Sequence, residues 1–180
     1  MITQLRRLLG RGSPAGQKSS SRERLEAAKR GALQPTLYAD WGVPDTFDGR
    51  FEAVLALVSV EFARLTRDDR SAEADGLLAA FMQDVELALQ SSGVSEAGMR
   101  KKMRAVETAS FARVERLGKA LREGSSTQVE ILNSMFGGAE DASAQAKTAA
   151  DRLDSLLHQL YAVDRNIEDA PALIDALGSA

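Results

Sequence analysis

An apolar pattern repeating every 3.6 residues leaves this chain little to fold into but helices. It is clearest after Phe51, where Val54, Leu55, Val58, Phe62 and Leu65 recur at helical spacing and predict a helix over 47–66. Leu77, Leu78, Phe81, Met82, Val85 and Leu89 mark the next helix, which ends near Ser91-Ser92-Gly93, and Phe51, Leu55, Val58 and Phe62 are expected to pack against it. Ser95 is positioned to cap a long helix to Arg122, with Met99, Met103, Val106, Val114, Leu117 and Leu121 on its buried face. Ser125 with Gln128 reads as a capping box for a short helix to Phe136, stopped by Gly137-Gly138. Ala142 to Val163 is helical, with Leu153, Leu156, Leu157 and Leu160 inward, and Asp169 caps a last turn or two after Pro171. No alternating strand pattern competes. The expected fold is all-α, a compact single-domain bundle or orthogonal array of about seven helices.

Upstream, Ile2, Leu5, Leu8 and Leu9 share one side of a short amphipathic segment that Gly10 to Pro14 breaks. Residues 10–20 read as a flexible linker, and Ser20 with Glu23 as a capping box for a helix ending near Gly31. The chain therefore divides into a basic flexible arm, 1–20, and a helical domain, 21–180. Truncating residues 1–18 is expected to spare the fold and to lower membrane association.

Charge follows the same division. Residues 1–30 hold eight basic and two acidic side chains, a net +6, so the other 150 residues carry −9 of the total −3. The start is rich in Arg and Ser with no acid before Glu23, which suits a mitochondrial presequence as well as a short basic tail. No stretch has the roughly 18 apolar residues that a membrane span needs. With no cysteine, disulfides, thiolate metal sites and thiol catalysis are excluded.

Enzyme chemistry finds little support. His158 is the only histidine; Asp154, four residues earlier, makes it half of a helical pair rather than part of a catalytic triad or metal site. Asp84 and Glu86 lie two apart and point in different directions along a helix, as solvated charges do. No phosphate-binding or dinucleotide fingerprint is present. No cofactor, metal or catalytic residue is expected.

Two segments point to binding instead. In Gly42-Val43-Pro44-Asp45-Thr46-Phe47-Asp48-Gly49, proline fixes the approach, Asp45 or Thr46 can accept the first helical N–H bonds, and Asp48 suits the positive helix end. Arg50 does not suit that end, and so calls for a carboxylate such as Asp45 or Asp48. Tyr38 and Trp41 beside the turn are expected to be partly buried packing groups. On the long helix, Lys101, Arg104, Arg116, Lys119 and Arg122 lie opposite the apolar face with Arg100, Lys102 and Arg113 on the flanks, against only Glu107, Glu115 and Glu123. Such a stripe suits an anionic partner, and RNA, a membrane headgroup layer and an acidic protein all qualify.

The stretch Leu37 to Leu65 resembles the signature of the ubiquinol-cytochrome c chaperone family, assembly factors of respiratory complex III. The likeness rests on Gly42-Val43-Pro44-Asp45-Thr46 and Asp48-Gly49-Arg50-Phe51-Glu52, with Pro35 and Tyr38 upstream at the spacing of the family's ARxPxFY segment. Phe81 to Leu121 is similar to the helices that follow, although Phe111-Ala112-Arg113 replaces the family's usual FxGR. The resemblance implies a non-catalytic chaperone that binds newly made cytochrome b, or a partner presenting it, during complex III assembly. It implies a place at the cytoplasmic side of a bacterial inner membrane, or at the matrix side in a mitochondrion; the uninterrupted helical periodicity adds the expectation of a monomer or weak dimer. The compact bacterial members favour the bacterial setting, with ribosome or anionic membrane contact as further possibilities. Tyr38, Trp41, Asp45, Asp48, Arg50, Lys101, Arg104, Arg113, Arg116, Lys119 and Arg122 are the candidate partner-binding residues.

Overall fold

The computed structural model describes residues 15–91, 93, 96–162 and 166–178. Over these residues the chain is all-α, with eight α-helices, one 3-10 turn and no strand. They are α1 (Ala15–Ala32), α2 (Pro35–Ala39), α3 (Phe47–Arg67), α4 (Ser71–Ser91), α5 (Glu96–Glu123), α6 (Gln128–Met135), α7 (Ala144–Tyr161), the 3-10 turn Ile167–Asp169, and α8 (Ala170–Gly178). The segment 2–9 and the cap expected at Ser95 lie outside the described residues.

The third helix is the centre of the molecule. Leu55, Ala56, Leu57, Val58, Val60, Ala63 and Leu65 are all buried, so its apolar surface runs nearly all round, as an interior helix requires. Helices α1, α4, α5 and α7 pack on it from different sides. Leu55 and Val58 are fully buried, and Phe51 meets Phe81 of α4 with ring centroids 5.7 Å apart. Phe62, expected in the same row, is only half-buried, because the row turns with the helix toward its edge.

The α3 start forms as the sequence predicts: Thr46 caps it, its Oγ1 accepting from Gly49 N at 3.0 Å. Ser143, which the sequence reading did not single out, caps α7 by accepting from Ala146 N at 3.1 Å. Other ends differ. Helix α1 already runs from Ala15; Ser20 lies inside it, and its hydroxyl donates to Glu73 Oε2 on α4 at 3.2 Å instead of capping. The box expected from Ser125 and Gln128 does not form: α6 is anchored by Asp154 of α7, which accepts from Thr127 N and Oγ1 at 2.6 and 2.7 Å. Asp84, read as a solvated charge, holds α1 to α4 through Arg22 at 2.5 Å and Lys29 at 2.9 Å. Sequence spacing along one helix does not reveal cations arriving from another.

Gly31 sits where α1 crosses the core. A Cβ there would fall 2.7 Å from Ala170 Cβ and 2.9 Å from Leu57 Cδ1. Glycine-to-alanine exchange in an open helix stabilises by about 1 kcal/mol. Gly31→Ala is expected to do the reverse and lower stability by about 1–3 kcal/mol in urea unfolding, since overpacking outweighs propensity. Leu57→Ala should cost about 2–5 kcal/mol. Phe62→Ala, at a half-buried site, should cost clearly less than Leu57→Ala in the same titration, and equal losses would contradict this placement of the two side chains.

Candidate partner-binding surfaces

The first surface is the segment 38–50, and its shape follows from a few buried anchors. Trp41 is 2% exposed and packs toward the end of α8, while Arg152 of α7 donates to Asp40 O at 3.3 Å. Trp41 is thus a core residue rather than the partly buried group expected. The chain then folds back so tightly that a Cβ at Gly49 would lie 2.0 Å from Pro44 O, which restricts that position to glycine. These anchors leave Asp45, Phe47, Asp48 and Arg50 facing outward.

Arg50 has the carboxylate that its place in the first turn demanded. Its Nε donates to Asp45 Oδ1 at 2.6 Å, and its guanidinium lies 5.4 Å from the centre of the Tyr38 ring. The hydrogen bond from Arg50 lowers the Asp45 pKa, and burial raises that of Tyr38. Tyr38 is fixed by its own hydroxyl, which donates to Ala32 O at 2.5 Å. Both members of the ion pair are more than half exposed, so it orients side chains and adds little to stability. Phe47 beside it is 71% exposed, a feature hidden in the sequence because the residue falls in the apolar pattern that opens α3.

The second surface is α5, and here the structure corrects the sequence reading. The basic stripe is not one continuous face. Arg113 Nη2 lies 3.2 Å from Glu52 Oε1 of α3, and Arg116 makes two bonds of 2.7 Å to Glu130 of α6. Lys119 lies 3.9 Å from Glu123. The acids that neutralise this half come mostly from other helices, so a count along α5 missed them. In the first half of α5, Lys101, Lys102 and Arg104 are not ion-paired with any described residue, and neither is Arg122 at its far end. Arg100, Lys101 and Arg104 flank an open trough floored by Ala105, Ala109 and Ala112.

Glu52 links the two surfaces. It is 7% exposed, and burial pushes its pKa up to about 7, opposed by Arg113 and assisted by Asp48 and Glu130. Elsewhere, His158 Nε2 meets Ser125 O at 3.2 Å and Asp154 at 3.6 Å, an internal tie. Among the described residues, no group of three or more metal-ligating side chains is assembled.

The family model described as ubiquinol-cytochrome C chaperone matches residues 39–170, which take in the turn, α3 and the whole of α5. The chain belongs to the ubiquinol-cytochrome C chaperone family. The crystal structure of the Cbp3 homolog from Brucella abortus has a similar fold, with a TM-score of 0.68 and 21% identity over 95% of this chain and 94% of that one. Among curated proteins no match was found. In this chaperone family member the turn segment and the long helix are joined directly: Glu52 of the signature segment lies 3.2 Å from Arg113 of the long helix.

The raised Glu52 pKa carries a pH signature. The folded state holds this proton up to about pH 7, whereas the unfolded chain releases it near the ordinary glutamate value of 4.5, so stability falls as pH rises between the two. Glu52→Gln abolishes that term. Wild-type stability measured relative to Glu52→Gln is expected to decline from pH 4.5 to 7.5 by up to about 3 kcal/mol. A flat difference across that window would mean that Arg113 holds Glu52 ionised throughout.

Proposed function

We propose that this chain is a non-catalytic assembly chaperone that binds newly made cytochrome b, or a partner presenting it, while complex III is built. The observation that carries the reading is the family match across 39–170. It is supported by the exposed Tyr38–Arg50–Asp45 arrangement, with Phe47 and Asp48 beside it, which offers a cation, carboxylates and an aromatic group at one rigid turn. Lys101 and Arg104 supply a second, electropositive contact region; Arg113, Arg116 and Lys119, further along α5, have acidic neighbours, and Arg122 stands apart at the far end of the helix. Because its client is a membrane protein, the chaperone works at the membrane surface. The association proposed is a peripheral one, and no helix among the described residues is long and apolar enough to cross the bilayer. The working unit is a monomer or weak dimer.

Deleting the gene in its host should lower assembled complex III and spectroscopic cytochrome b while other respiratory complexes stay near normal. Normal complex III in the deletion strain would reject the assignment. Arg50→Leu returned to that strain should leave the melting temperature almost unchanged, because the Asp45 pair is solvated, yet reduce recovery of cytochrome b with the tagged chaperone. Full recovery would remove the turn from the contact surface.

A further inference from the structure

We propose that one end of the helical body is a docking face for anionic phospholipid headgroups, formed by Phe47, Leu87 and the cations Lys101, Lys102 and Arg104. The proposal rests on the peripheral association inferred above and assigns it to a surface.

Topology brings these residues together. The short turn 68–70 between α3 and α4, and the Phe51–Phe81 contact, make the two helices antiparallel, so the first residue of α3 lies beside the last turns of α4. Only residues 92–95 separate α4 from α5, which places the first turns of α5 at the same end. Phe47 is 71% exposed and Leu87 58% exposed, two of the four large apolar side chains that stand out from the described surface. Both therefore belong to the same end of the body as the first turns of α5, which carry three cations with no ion-pair partner among the described residues. The contrast within α5 is informative: Arg113 and Arg116, only a few turns on, are matched by Glu52 and Glu130. Among the residues whose side chains are described, the acids near the docking end are Asp48 and Glu86, both exposed, and half-buried Glu107; Asp45 is occupied by Arg50.

This combination suits a headgroup layer better than an acidic protein groove. Two separate apolar side chains can enter the acyl boundary, while Lys and Arg on long stems reach phosphates at a range of depths without a fixed partner geometry. The attraction is electrostatic, and each cation strengthens binding to an anionic surface within a Debye length. Beyond the basic residues 1–30, the chain is acidic: residues 31–180 carry a net charge of −9, so an anionic membrane would repel most of the body and favour contact through this end.

The test is co-sedimentation of the full chain with phosphatidylcholine vesicles and with vesicles containing about 30% phosphatidylglycerol, at low and raised salt. Wild type should pellet with the anionic vesicles only, and less so in salt. Lys101→Glu with Lys102→Glu and Arg104→Glu should lower the partition coefficient about tenfold or more, with unchanged circular dichroism and melting temperature. Phe47→Ser should lower it several-fold at constant charge. Reversing Arg6, Arg7 and Arg11 to Glu controls for the N-terminal residues. If the triple α5 variant binds as wild type does while the arm variant fails to bind, the docking face is overturned and peripheral association survives. Wild type that pellets with neither vesicle overturns both. Loss of binding to an RNA oligomer or a polyglutamate peptide in the triple variant, with vesicle binding intact, assigns the cations to that partner and overturns the proposal.

Discussion

Everything else in the fold depends on how α3 is satisfied. A helix buried nearly all round must be enclosed, and this one also carries Glu61, 1% exposed, in the middle of its buried surface. A lone carboxylate there would be too costly to ionise. Arg24 of α1 meets it directly, and Arg64, one turn on, lies 3.5 Å away. Close packing and this ion pair act together on the same crossing. The Arg24 pair helps set how far α1 is displaced along α3, and Glu73 at 3.7 Å from the same arginine draws α4 into the same register. Once those three helices are set, Gly31 falls against Leu57 and Ala170 and the end of the chain can close over them.

The sequence disclosed what is encoded locally. Helical periodicity located α3, α4, α5 and α7, and the residue types near Thr46 located the α3 cap, because cap and helix lie within one turn of each other. Arg50 could be matched to Asp45 for the same reason: the partner is five residues away. What the sequence hid was contributed from a distance. Asp84 looks solvated until Arg22 and Lys29 arrive from α1, and Ser20 looks like a cap until Glu73 accepts its hydroxyl. The short α2 escaped notice because five residues give no period to detect. The α5 stripe was misjudged on the same ground, its acids being on α3 and α6.

Neutralisation of half a basic helix also changes what the helix can do. Arg116 and Glu130 form a two-bond pair that holds α6 against α5, so a partner seeking that guanidinium would first have to displace the glutamate. Lys101, Lys102 and Arg104 present no such barrier. An electropositive region defined by the charges left over after internal pairing is smaller than the sequence implies, and it lies at the end of the helix remote from the braces. The same accounting explains why Trp41 belongs to the scaffold and Tyr38 to the surface, though only three residues separate them: one is enclosed against α8, and the other keeps a face on which Arg50 rests.

The two candidate surfaces are not electrically independent. Glu52 lies one turn after Asp48 in the signature segment and reaches across to Arg113, while Glu130, already engaged by Arg116, also acts on it. A buried carboxylate with a pKa of about 7 is close to balance between its two charge states, so small changes in nearby field alter its protonation. A client that placed negative charge near Arg113 would favour the protonated form, and one that placed a cation near Asp48 would favour the ionised form. In either case the strength of the Glu52–Arg113 contact between α3 and α5 would change with occupancy of a neighbouring surface. The Glu52–Arg113 contact is thus the physical connection between the turn segment and the long helix.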